Sequence, residues 1–177
     1  MRKLALLLII LFASCEAPTN GVSEADSTTF EKNVETLKNN FIKGYEEGDY
    51  DRVISVFADS IRWHGPGVNA EMLEGIDILK ENVSFWMSNF ENISFTEGGG
   101  LPGTDVGFWG GNTYPVAEAM SGPNNVRMYG TWDITNSNTG KSVNFKQYCV
   151  WSFNEDGKVH TVTEYLDLGG LLATFDE

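Results

Sequence analysis

Two titratable side chains, His64 and Asp167, are candidates for acid/base catalysis. His64 could act as a general base, as a hydrogen-bond donor to an oxyanion, or as a structural partner. Asp167 has mostly apolar neighbours in sequence, and apolar surroundings favour the protonated carboxyl that acid/base work near neutral pH requires. Each has an ordinary alternative. Asp167 precedes Gly169-Gly170 and could cap a turn, and a lone histidine beside Gly65-Pro66-Gly67 is typical of a structural or rim residue.

Metal ligands and paired carboxylates are not predicted. His64 and His160 form no H-x-H or H-E-x-x-H pattern and the cysteines form no CxxC, so we expect no metal and no cofactor. Glu164 lies three positions before Asp167. On a regular strand these two side chains point to opposite faces, so they are not expected to form a catalytic pair.

Aromatic and amide side chains supply candidates for the wall of a ligand pocket. Trp63, Tyr129 and Trp132 could surround an apolar ligand, although they would serve a hydrophobic core equally well. Gln147 and Tyr148 point to opposite faces of one predicted strand, and the pattern leaves open which face lines a pocket. Both therefore remain ligand-binding candidates.

The composition describes one acidic globular domain. The chain has 177 residues, of which 41% are hydrophobic and 21% charged, as in ordinary folded proteins. The formal net charge of −13 argues against nucleic acid as a partner, because phosphates must be met by clustered Lys and Arg.

Hydrophobic periodicity predicts helices first and strands afterwards. The first helix is predicted to start with a capping box at Thr28 and Glu31 and to end at Gly48. Its apolar stripe consists of Phe30, Val34, Leu37, Phe41 and Tyr45. A second helix follows a cap at Asp49, and a third spans about 76–90. Strands are predicted at 61–64, 92–96, 126–134, 142–153 and 159–167.

The section 98–125 is irregular and rich in glycine. It carries no phosphate-binding glycine motif, and it could form short strands with turns or a lid with aromatic residues over a pocket mouth. The last three strands are joined by hairpin turns and should form an antiparallel meander. We therefore expect an α+β domain with helices on one face of a curved sheet.

Several short motifs occur in an order that resembles nuclear transport factor 2-like domains, especially the SnoaL-like group. They are Gly48-Asp49-Tyr50, Phe57-Ala58-Asp59-Ser60-Ile61-Arg62-Trp63, Leu73-Glu74-Gly75, Asp156-Gly157-Lys158-Val159 and Glu164-Tyr165-Leu166-Asp167. The likeness covers residues 30–175. It implies a cone-shaped barrel in which three N-terminal helices pack on a strongly curved, mainly antiparallel sheet around a pocket.

This resemblance leaves the function open, because the fold hosts both enzymes and binding domains. One expectation is a domain that binds a small, largely apolar molecule. A second is an isomerase, cyclase or dehydratase in which Asp167 is the acid/base and His64 or a tyrosine is its partner. A third is a homodimeric interaction module without chemistry.

The first residues have the parts of a secretory signal. Met1-Arg2-Lys3 is basic, and the apolar run Leu4 to Phe12 is too short to span ~30 Å of hydrocarbon. Ala13-Ser14-Cys15 resembles the lipobox of bacterial lipoproteins, in which the cysteine is diacylated and becomes the mature N-terminus. A secreted protein without lipid is the alternative.

The lipobox resemblance implies a division of the chain into three parts. Residues 1–14 would be the signal peptide, 15–27 the lipidated cysteine and a polar tether, and 28–177 the domain. Acyl chains on Cys15 would then attach the protein to a membrane of the bacterial cell envelope. We expect the outer membrane, and the side on which the domain lies stays open.

Overall fold

A computed structural model describes residues 23–98, 107–110 and 122–175 of the chain. The predicted signal peptide, the lipidation at Cys15 and most of the tether lie outside the described residues. Most of the glycine-rich section 98–125 lies outside them as well.

The first helix is longer than predicted and contains a π-helical segment. Its consecutive parts are α1 (Glu24–Thr36), the π segment (Leu37–Ile42) and α2 (Lys43–Glu47). Ser23 is the N-cap, since its side chain accepts a 3.1 Å hydrogen bond from the Asp26 backbone N–H. The predicted capping box is therefore wrong: the Thr28 hydroxyl lies inside the helix and donates to the Glu24 carbonyl at 2.9 Å. Gly48 ends the helix with φ of 69°, as predicted.

Three further helices follow. They are α3 (Tyr50–Ile54), α4 (Ile76–Asn89) and α5 (Leu168–Ala173). The predicted cap of α3 is confirmed, because Asp49 accepts a 3.0 Å hydrogen bond from the Arg52 backbone N–H. Within the described ranges, no helix is both long enough and apolar enough to cross a membrane.

In the described residues, seven strands form one sheet. The strands are β1 (Phe57–His64), β2 (Met72–Glu74), β3 (Phe90–Glu97), β4 (Phe108–Gly110), β5 (Asn125–Asn136), β6 (Ser142–Phe153) and β7 (Val159–Tyr165). Their order is β2-β1-β7-β6-β5-β3, and β4 also pairs with β5. The predicted meander β5-β6-β7 is confirmed.

The pair β1–β7 is parallel, while the other strand pairs are antiparallel. Hydrophobic patterning predicts strands but not their long-range partners, and this parallel pairing was not predicted. The architecture is the expected α+β fold, with helices packed on a curved, mostly antiparallel sheet.

The core lies between the first helix and the concave face of the sheet. Leu37, Val53 and Trp151 are at most 1% exposed there. Cys149 is fully buried in the same cluster, as expected for a cysteine that packs as a small hydrophobe. A separate cluster of buried residues consists of Phe90, Ile134 and Leu171.

Candidate functional site

A cavity of about 170 Å³ lies between α4, α5 and the concave face of the sheet. Its lining is mostly aromatic and aliphatic. The apolar lining residues are Phe41, Trp63, Pro66, Phe85, Trp86, Phe90, Ile93, Trp132, Ile134, Phe145, Leu166, Leu168, Leu171, Leu172 and Phe175. The other four are Tyr45, Asn82, Gln147 and Glu164, and no Lys, Arg or His is among the described residues of the lining.

Strand alternation explains why the sheet contributes these side chains. Side chains two positions apart on a strand share a face. Trp132 on β5, Gln147 on β6 and Glu164 on β7 all lie on the concave face and line the cavity. The first helix adds Phe41 and Tyr45, which are four positions apart and whose rings make an edge contact with centroids at 5.1 Å.

Glu164 contributes a carboxyl to the cavity lining. The side chain is half-buried by area because it opens onto the cavity, but its carboxyl is shielded from bulk water. This burial raises the pKa of Glu164 to about 7, while the nearby Trp63 indole N–H opposes the shift. The Glu164 charge in turn raises the pKa of the Tyr45 phenol and the Cys149 thiol, whose own burial raises them more.

Trp132 and Trp63 each place an indole N–H donor in the cavity wall. The Trp132 Nε1–H donates a 2.8 Å hydrogen bond to Gln147 Oε1. Because an indole can only donate, the Gln147 oxygen must face it, and the amide NH₂ is left as the group available to a ligand. The Trp63 Nε1–H is buried and has no partner at hydrogen-bond geometry among the described residues.

The arrangement combines apolar walls with one carboxyl that titrates near neutral pH. Apolar walls take up apolar ligands, and a small number of polar groups fixes their orientation. A carboxyl with a pKa near 7 can donate and accept protons at neutral pH. The site can therefore hold an apolar molecule and could exchange a proton with it.

Three of the predicted ligand-binding residues lie in this cavity. Trp63, Trp132 and Gln147 belong to its lining, whereas Tyr129 and Tyr148 do not. Tyr129 and Tyr148 pair across β5 and β6 on the convex face. There the Tyr148 ring stacks between two others, with centroid distances of 5.8 Å to Trp109 and 5.7 Å to Tyr165.

The predicted catalytic pair is not brought together at the cavity. Asp167 is exposed and caps α5, accepting a 2.8 Å hydrogen bond from the Gly170 backbone N–H. His64 lies at the end of β1 with its Nε2 at 3.1 Å from the Ala70 carbonyl oxygen. Neither residue lines the cavity, and these positions correspond to the turn-capping and structural alternatives.

The sequence reasoning missed Glu164 as a site residue. Its neighbours two positions away, Val162 and Leu166, are apolar, and this alternation places the carboxyl on the apolar face of β7. The opposite orientations of Glu164 and Asp167 exclude a carboxylate pair, and they also mean that one of the two carboxylates faces inward, which is Glu164.

No metal centre is evident in the part of the chain that the structure describes. Within those residues, no group of three or more His, Cys, Asp and Glu side chains could hold a metal ion. The cavity itself offers a single carboxylate and no imidazole or thiolate lining it.

Known structures share this fold although their sequences are distant. A candidate isomerase from Bacillus subtilis is 16% identical with a TM-score of 0.63, over 84% of this chain and 95% of that one. A candidate polyketide cyclase from Xanthomonas campestris pv. campestris is 9% identical with a TM-score of 0.59, over 82% and 97%. An NTF2-like protein of unknown function from Burkholderia pseudomallei K96243 is 16% identical with a TM-score of 0.58, over 80% and 95%.

In sequence, the chain matches no protein-family model and no curated protein. The likeness is therefore one of architecture, and it covers nearly the whole of each similar structure. The curved, mostly antiparallel sheet and the helices packed on it are the features they share. The chain has the nuclear transport factor 2-like fold.

Proposed function

We propose that the protein binds a small, largely apolar, uncharged molecule in the cavity beside Glu164. The observation that carries this proposal is a cavity of about 170 Å³ with mostly aromatic walls. A ligand that fills it would bury apolar surface of its own and of these walls, and burial of apolar surface is favourable by roughly 25 cal/mol per Å².

The charges of the lining favour an uncharged ligand. Among the described lining residues there is no cation to neutralise an anionic ligand, and Glu164 becomes negative as the pH rises through about 7. A cation would have only this one carboxylate as a partner. Desolvating a charge without a close partner is costly, so a neutral molecule fits these walls best.

The test is binding of the neutral dye N-phenyl-1-naphthylamine to the full chain, followed by its fluorescence. Asn82 on α4 lines the cavity, and Asn82→Trp should fill part of it and weaken binding at least tenfold. Ser84 on the same helix is exposed and does not line the cavity, so Ser84→Trp is the matched control with unchanged affinity. Absence of saturable binding, or equal affinity in both variants, would overturn the proposal.

A second candidate function is proton transfer on the bound molecule. It is favoured by Glu164, because a carboxyl with a pKa of about 7 can take a proton from a carbon acid and return it. Tyr45 lies near enough to this carboxyl for the Glu164 charge to raise the pKa of its phenol. In this candidate Glu164 is the acid/base, because Asp167 is exposed, caps α5 and does not line the cavity.

Proton transfer can be tested without knowing the natural substrate. A panel of neutral cyclic ketones is incubated with the full chain in D₂O, and exchange of hydrogen next to the carbonyl is followed by NMR. Glu164→Gln should lower any exchange rate by about 10²–10⁴-fold while leaving dye binding intact. Exchange no faster than in buffer, or insensitive to Glu164→Gln, would remove this candidate and leave the binding function.

A further inference from the structure

The helix α5 forms the outer wall of the cavity. Leu168, Leu171 and Leu172, together with Phe175 just beyond the helix, all line it. Leu171 is 5% exposed and packs in the cluster around Phe90, while Leu172 is 47% exposed. The Phe175 ring reaches the same cluster, with its centroid 5.1 Å from that of Phe90.

Among the residues that the structure describes, apolar contacts hold this wall in place. In the described residues, the backbone hydrogen bonds of 168–175 all end within 166–175, and none joins another helix or strand. Other helices are tied to the rest of the molecule. The Asn33 side chain of α1 donates to the Pro123 carbonyl at 3.0 Å, and Glu46 of α2 accepts from the Phe95 backbone N–H at 3.1 Å.

The internal stability of α5 is low. It has six residues, two of which are glycines, and helices this short are marginal in water. Its N-cap is Asp167, whose carboxylate bonds the Gly170 backbone N–H. A Cβ on Gly170 would lie 2.3 Å from Asp167 Oδ2, so the absence of a side chain there lets the carboxylate fold over the first turn.

We propose that α5 is a lid over the cavity, and that Asp167 and Gly169 set how often it opens. This inference rests on the proposed ligand binding. Opening breaks the contacts of Leu171 and Phe175 with the Phe90 cluster and gives a ligand access to the cavity. Closing places the same apolar side chains against the ligand, so the lid is part of the bound site. Asp167 acts through the helix that it caps and is a positioning residue.

Two substitutions outside the cavity lining should shift the opening equilibrium of α5 in opposite directions. Asp167→Ala removes the cap, and caps of this type stabilise a helix by enough to change an opening equilibrium about fivefold. Gly169→Ala favours the closed helix by a similar factor, because alanine has the higher helix propensity. There is room for the methyl group, since the nearest atom to a Cβ at Gly169 is Asp167 Oδ1 at 3.9 Å.

The experiment is stopped-flow binding of N-phenyl-1-naphthylamine to the full chain. Association and dissociation should both become about fivefold faster in Asp167→Ala and about fivefold slower in Gly169→Ala, with Kd unchanged within twofold. Hydrogen exchange of the 168–175 amides should change in the same directions, and bound dye should slow it. Asp49→Ala removes the equivalent cap from α3 and should leave both rates unchanged.

The binding experiment distinguishes a result that contradicts the lid from a result that contradicts the proposed ligand binding. If the dye does not bind, the proposed function fails. If it binds with the same rates in wild type, Asp167→Ala and Gly169→Ala, the lid is wrong and the binding function stands. A change in Kd without parallel changes in both rates would also overturn the lid, because it would make Asp167 a purely structural residue.

Discussion

At the scale of single residues, Glu164 is the cavity residue whose pKa the fold changes most clearly toward neutral pH. Its carboxyl is placed by β7 against an aromatic wall, and the loss of hydration favours the protonated form. The Trp63 indole N–H lowers the pKa of Glu164, but by less than burial raises it. A buried acid of this kind makes the stability of the protein depend on pH.

The sign of that dependence follows from the raised pKa. The folded state holds the Glu164 proton up to a pH of about 7, whereas the unfolded chain releases it near 4.5. This stabilising contribution is therefore fully present below about pH 4.5 and is lost as the pH rises to about 7. The loss amounts to at most about 3 kcal/mol.

Glu164→Gln removes this titration while keeping a similar shape. We expect the free energies of unfolding of wild type and Glu164→Gln to converge at acidic pH, and the variant to become relatively more stable as the pH rises to 8. Urea unfolding at pH 5, 6, 7 and 8 measures the difference between the two proteins. A difference that does not change with pH would show that Glu164 has an ordinary pKa.

The site could be predicted from sequence only as far as residue types allow. Trp63, Trp132 and Gln147 were predicted because large or amide side chains on predicted strands are typical of pocket walls. The family resemblance and its apolar sequence neighbours favour Asp167 as the acid/base, whereas in the structure Asp167 caps α5 and Glu164 lies on the inward face of β7. Which face of a strand is concave depends on how the sheet packs, and this is not contained in a local window.

At the scale of elements, β3 contains a bulge that places Ile93 against the cavity. The register with β5 shifts between Glu91 and Ser94, and Asn92 at the shift has φ of 53°. Asparagine tolerates this left-handed conformation better than other residues with side chains, and a β-branched residue tolerates it poorly. The bulge thus depends on the residue type at position 92.

Asn92→Val should destabilise the protein by about 1–2 kcal/mol, because valine is strained at positive φ. Ser94→Val is the matched control on the same strand, since Ser94 is also exposed and lies where the regular register resumes. The control should be neutral or slightly stabilising, as valine favours extended backbone. Urea unfolding compares them, and equal effects of the two substitutions would contradict a strained bulge.

Most helices and strands were predictable because periodicity is a local property. The strand Ser142–Phe153 and the cap of α3 match the prediction residue for residue. The predicted start of the first helix lies too far along the chain. Thr28 and Glu31 have the spacing of a capping box, but the N-cap of the helix is Ser23. The π segment at Leu37–Ile42 has no sequence signal of its own.

At the scale of the whole molecule, the fold leaves a cavity of about 170 Å³ beside a packed core. The core residues Trp151, Val126 and Met128 are at most 1% exposed and do not line the cavity. The convex face carries the stacked rings of Trp109, Tyr148 and Tyr165. Homodimer formation stays a prediction from the resemblance.

The attachment of the molecule to a membrane also stays a prediction. If Cys15 is the lipidation site, cells that express the full chain and receive an alkyne-labelled fatty acid should incorporate the label into it. Cys15→Ser should lose the label, and Cys149→Ser should keep it because Cys149 is buried in the core. Labelling that survives Cys15→Ser would contradict the lipobox interpretation.

Binding of a neutral apolar molecule in the cavity beside Glu164 is tested most directly by intermolecular NOEs between bound N-phenyl-1-naphthylamine and assigned methyl groups. We expect NOEs to the methyl groups of Ile134 and Leu171, which line the cavity, and none to Val126, which is buried in the core and does not line it. NOEs confined to methyl groups outside the cavity, or saturable binding with none to Ile134 and Leu171, would contradict it.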